Sequence, residues 1–163
     1  MRRLVVTSLA LLAAVLARAA PALADGEPAS PRRAILIIVA ASSPVQDVPL
    51  EELRRIFSAE SRNFVPLNLP PGSAERVGLD LLLLGRGPED VARYWIDRKI
   101  RGQGSPPRVI PSAALVAKIV ARVPSTMGYV LVGPLPAGVK VLRVGGLVHT
   151  DPRYPLFLRG RSR

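Results

Sequence analysis

The run AILIIVAA at residues 34–41 decides the fold class. It is apolar without interruption, rich in Ile and Val, and of strand length, the pattern of a strand covered on both faces. Such a strand needs layers above and below it, and the downstream chain supplies alternating helix and strand signals. The run stops at Ser42, Ser43 and Pro44. In PLEELRRIF, residues 49–57, proline takes the first helical position and Glu51 and Glu52 the first turn, while Leu53, Ile56 and Phe57 recur at helical spacing. FVPLNL at residues 64–69 reads as a second strand, closed by the breaker Pro70-Pro71-Gly72. Ser73 then stands at an N-cap position before a helix whose Val77, Leu81 and Leu84, with Leu82 and Leu83, form a broad apolar face up to Gly85.

The same alternation continues. Gly87-Pro88-Glu89-Asp90 opens a third helix carrying Val91, Tyr94, Trp95 and Arg98, and GQGSPP at residues 102–107 breaks it. Residues 108–110 are short and strand-like, and Ser112 caps a helix whose Leu115 or Val116, Ile119 and Val120 face inward. MGYVLV (127–132) and VKVLRV (139–144) read as two more strands joined by a Gly- and Pro-rich turn. Strand–helix alternation at this size implies an α/β sandwich with a mixed, mainly parallel sheet over residues 34–149. Past His149 the charge-rich end, residues 150–163, is expected to be a loosely attached basic tail.

The chain has 163 residues, with 23 Lys plus Arg, 12 Asp plus Glu, one His and no Cys. One ordinary domain fits that length. Without cysteine, disulfides, thiol nucleophiles, thiolate metal sites and a lipobox anchor are excluded. Residues 1–24 read as a secretory signal peptide: Arg2 and Arg3 lead, an apolar run follows from Leu4 to Leu16, and Ala22-Leu23-Ala24 gives an A-x-A exit. A membrane anchor would need about 20 apolar residues, and Arg18 interrupts the stretch too early. Arg2-Arg3 lacks the surroundings of a twin-arginine signal, so general secretion to the periplasm or beyond is expected. Removing this segment and its three arginines leaves 139 residues and a net charge of +8, with residues 25–33 as a Gly-, Ser- and Pro-containing leader. That basicity suits an anionic partner without naming one. Nucleic acid is not expected, because aromatics make up only 4% and no Lys/Arg run exceeds two residues.

Six short signatures in order carry a resemblance. They are the opening strand with Ser43-Pro44, LEELRRIF (50–57), VPLNLPPGSAER (65–76), Tyr94-Trp95, GQGSPP (102–107) and VARVPSTMGYV (120–130). Together they resemble the small, exported relatives of phosphate ABC transporter substrate-binding proteins, which share the periplasmic binding protein type II fold. That resemblance implies a reduced-size periplasmic-binding-protein-like α/β sandwich with no cofactor and no metal. It also implies capture of a small, phosphate-like oxyanion, for an ABC permease or another envelope partner. The residues it points to are Ser42, Ser43, Gly72, Ser73, Arg76, Ser125 and Thr126. Hydroxyls and helix-terminal amides suit an anion because unpaired N–H groups and the helix dipole both favour negative charge. Gly72 lets the backbone approach a ligand, and Arg76 offers a two-pronged guanidinium.

The chain also departs from that pattern. Pro71, Ala74 and Glu75 stand where the family's Asp-Gly-Ser-Gly-Thr loop has Asp, the second Gly and Thr, and Glu75 repels an anion. The alternative is therefore an accessory module of the same fold that has lost ligand capture. Simpler roles compete at each position: Ser73 and Ser112 as plain caps, Arg76 and Arg98 as solvated helix charges, Tyr94 and Trp95 as core. No nucleophile elbow accompanies His149 and Asp151, so no enzyme is expected. At 139 residues there is room for one lobe or two very small ones.

Overall fold

The computed structural model describes residues 33–158; the signal-like segment, most of the leader and the last five residues lie outside that range. In chain order the elements are β1 (Arg33–Ala40), β2 (Asp47–Val48), α1 (Leu50–Phe57), β3 (Val65–Asn68), α2 (Ala74–Leu84), α3 (Pro88–Ile100) and β4 (Arg108–Val109). There follow α4 (Ala113–Arg122), β5 (Thr126–Leu131), β6 (Val139–Val141), β7 (Arg143–Val144) and β8 (Phe157–Leu158). The expected α/β class is borne out. One six-stranded sheet runs β4-β3-β5-β1-β6, with β8 pairing the start of β1, and a separate ribbon joins β2 to β7.

The sheet is mixed in a definite way. On one side β4, β3 and β5 run parallel, whereas β1 is antiparallel to β5, to β6 and to β8. Ile35 pairs with Leu131 and Val39 with Met127, so β1 lies between the two strands that the 133–138 turn connects. Those two strands do not form a hairpin; the turn carries the chain over the end of β1, which takes the central position because it can bury both faces.

Every residue of β1 from Ala34 to Ala40 is buried. Alternate side chains go to opposite layers. Toward one face point Ile38 and the bare backbone of Gly128, against Val116 and Val120 of α4. Toward the other, Ile35 meets Gly78 of α2, and the Phe57 ring of α1 meets Tyr129 edge-on at 5.7 Å. Among the described residues a single continuous core joins both layers, as in one lobe. The Ser112 hydroxyl accepts from the Leu115 N–H at 3.3 Å, so its capping role is met.

The chain end requires a correction. Residues 150–158 are part of the domain and not a loose tail: Tyr154 and Leu156 are buried, and the Tyr154 hydroxyl donates to the Ile35 carbonyl at 2.9 Å. Phe157 and Leu158 then extend the sheet beside Ala34 and Arg33. The arginines of this stretch masked two buried side chains, Tyr154 and Leu156. Among the described residues no helix is long and apolar enough to cross a membrane.

Candidate functional site

The strand directions divide the sequence-derived site residues into two groups. Thr126 sits beside Val65, where β3 begins, and β1 ends at that same edge because it runs against β5. The loop carrying Gly72, Ser73 and Arg76 leaves the far end of β3. Between those edges β5 (Thr126–Leu131) spans five residue steps, about 17 Å at strand rise. Ser42, Ser43, Ser125 and Thr126 thus gather at one edge, and Gly72, Ser73 and Arg76 at the other. A single pocket formed by all seven is overturned, because strand carboxyl ends share an edge only when the strands are parallel.

At the first edge a cavity of about 510 Å³ is lined by Ser42, Ser43 and Ser125 together with Pro44, Val48, Phe64, Asp47 and Glu52. Its hydroxyls are partly engaged. Ser43 Oγ accepts from the Val45 N–H at 3.3 Å, and the Lys140 ammonium donates to the Ser43 carbonyl. Thr126 is buried and gives its hydroxyl to the Val123 carbonyl at 2.7 Å, a turn-closing bond and not a ligand contact. Asp47 Oδ1 accepts from the Gly146 N–H at 2.8 Å. Glu52 Oε1 accepts from Ser61 at 2.6 Å and from Asn63 at 2.7 Å. The Ser61 bond leads in holding the Glu52 carboxyl below its ordinary range against the opposing desolvation, and Asn63 and Arg55 act in the same direction as Ser61. Two carboxylates, Asp47 and Glu52, in otherwise apolar walls make this a poor seat for an oxyanion.

At the second edge Gly72 adopts φ +85° with open space where a Cβ would stand. Ser73 begins α2 in extended conformation without a side-chain cap bond, and its Oγ is buried with no partner among the described residues. The first helical bond runs from the Val77 N–H to the Ser73 carbonyl at 2.9 Å. The amides of Ala74, Glu75 and Arg76 therefore precede the helical ladder and are left for other acceptors.

Arg76 fits neither expectation. It is only 8% exposed, with Nη1 donating to the Leu69 carbonyl at 2.9 Å and Nε lying 3.4 Å from Asp80 Oδ2. Burial raises the Asp80 pKa and the Arg76 charge opposes that rise. The guanidinium thus ties the end of β3 to α2. Asp80, four residues on, was the sequence signal for this inward pairing. Beside it, Tyr129 donates to Asn68 Oδ1 and accepts from the Leu69 N–H at 3.1 Å, and burial pushes its phenol pKa up.

No protein-family profile and no curated protein matches the chain. Solved structures do match. An ABC-type phosphate transport receptor from Vibrio cholerae superposes with a TM-score of 0.62 at 16% identity, over 77% of this chain and 54% of that one. PstS from Borrelia burgdorferi gives 0.60 at 17% identity, over 78% and 55%. A protein assigned as a phosphate ABC transporter substrate-binding protein, with bound phosphate, from Clostridium perfringens gives 0.59 at 16% identity, over 73% and 48%. The chain has the periplasmic-binding-protein-like fold. It spans about half the length of the receptors it matches, and the fold is what this level of identity carries. Within that periplasmic-binding-protein-like frame, unpaired donors collect at the amino end of α2. Among the described residues no group of three His, Asp or Glu is placed to hold a metal.

Proposed function

We propose that the protein is an exported solute-binding-protein-like module whose oxyanion seat is confined to the amino end of α2. The observation that supports this most is the Ser73 hydroxyl, buried without a partner beside three amides that the helix leaves unbonded. An oxyanion there gains amide bonds and the helix dipole but no guanidinium, since Arg76 is committed inward. Binding is accordingly weak, and phosphate is the first ligand to try because the structural neighbours include phosphate receptors. Delivery to an ABC permease is part of the same proposal, and the likeness to transport receptors is what supports it.

One observation favours a second reading, an accessory module without a ligand: Glu75 puts a carboxylate in the first turn of α2, where it opposes an anion. Thermal unfolding of the purified protein against phosphate, sulfate, molybdate and phosphonates, at constant ionic strength, separates the two. A ligand selective for the folded state raises the Tm by mass action, and fixed salt removes screening as a cause. A saturable shift that Ser73→Ala abolishes supports the seat. No shift with any oxyanion replaces it with the accessory reading.

A further inference from the structure

We infer that a second cleft, between the turn after α1 and the loop after α3, is a site for a small organic anion, read through Arg62 and Arg108. The cleft has a volume of about 520 Å³ and lies where β3 and β4 begin, at the opposite edge of the sheet from Ser73. Arg62, Arg108, Ser61, Gln103 and Ser105 line it, and no acidic residue does. Among the described residues neither the Arg62 nor the Arg108 guanidinium has a carboxylate partner. By contrast, Arg54, Arg55, Arg76, Arg93, Arg98 and Arg101, in or next to the helices, each meet an acid. Two cations facing one cleft repel each other until an anion enters, and a guanidinium fork matches the oxygens of phosphate or carboxylate.

The walls are also built and held. Ala59 is the one non-glycine at positive φ among the described residues, at +58°, a left-handed conformation that a residue with a Cβ adopts at a cost. A Cβ on Gly104, itself at φ +121°, would sit 3.8 Å from the Ala59 methyl, so the turn after α1 and the glycine loop pass close to each other. Arg98 braces both sides: Nη2 donates to the Gln103 carbonyl at 2.7 Å and Nη1 lies 3.4 Å from Glu60. It is a half-buried strut and not a solvated helix charge. The amides of Gly104 and Ser105 donate to no backbone acceptor among the described residues. Strain, bracing, free amides and unpaired guanidinium groups converge on one volume, and that volume suits a metabolite-sized anion better than a bare inorganic ion.

The site is independent of the α2 seat, so its test distinguishes them. Titration calorimetry of the purified protein with glycerol 3-phosphate and with citrate, at fixed ionic strength, is expected to show saturable binding of at least one. The Arg62→Ala/Arg108→Ala double variant should weaken that binding about tenfold or more, through loss of both charge-assisted forks. Lysine at both positions, keeping charge without the fork, should recover only part of it. Ser73→Ala should leave it unchanged. Absence of binding by both anions overturns the proposal, as does binding that survives the double alanine variant or is lost in Ser73→Ala. Binding to phosphatidylglycerol vesicles with both soluble anions inert also overturns it, making the cleft a surface patch.

Discussion

Arg76 points its Nη1 at the carbonyl of Leu69, 2.9 Å away, and so turns the one cation of the α2 first turn into the fold. Because the same guanidinium lies against Asp80, removing it leaves a buried carbonyl and a mostly buried carboxylate without their partner. Arg76→Ala should cost about 2–4 kcal/mol in urea-induced unfolding. A loss below about 0.5 kcal/mol would mean that the side chain faces water in solution.

The pH dependence around Asp80 follows from the direction of its shift. Burial raises its pKa above 3.8, so in the window just above that value the folded chain holds the proton more often than the unfolded chain. Its contribution to stability therefore falls as pH rises through that window. Arg76→Ala removes the opposing charge, and the gap between variant and wild type should widen from about pH 4 to about pH 7. Adding Asp80→Asn should flatten it. Parallel pH curves for Arg76→Ala and wild type would rule this account out.

Leu156 is fully buried, and Tyr154 beside it anchors to β1. Leu156→Ala should therefore destabilise by about 2–5 kcal/mol, the range for an emptied leucine site. A loosely attached chain end would show no measurable loss in the same denaturation experiment.

Gly128 lies where β5 passes under α4, and a Cβ there would stand 2.4 Å from Val116 Cγ1. Gly128→Ala should cost about 1–3 kcal/mol by overfilling that contact. Combining it with Val116→Ala should cost less than the sum of the two single changes, because the smaller neighbour makes room. Strict additivity in a double-mutant cycle would show that the two residues do not touch.

Much of the fold is legible in local signals. Uninterrupted burial of residues 34–40, the apolar stripe Leu53-Ile56-Phe57 on α1 and the Ser112 cap all follow from periodicity and capping, which act within a turn or two of chain. Signature order also carried the likeness to phosphate-receptor folds. The site was less legible. Ser73 is in place but lacks the cap bond that its position suggested, and the cleft brings together Arg62 and Arg108 from loops far apart in the chain.

By itself, then, the sequence determined which segments become strands and helices and which of their faces are buried, since those depend on side-chain period and on neighbours in the chain. Tertiary structure alone decided strand direction, and with it the placing of Ser43 and Ser73 at opposite edges, because backbone hydrogen bonding accepts either direction and only the docked neighbour selects one. It also decided the fate of the charges. Whether an arginine such as Arg76 or Arg98 meets water, a carbonyl or a carboxylate depends on what packs against its helix, and no local pattern records that.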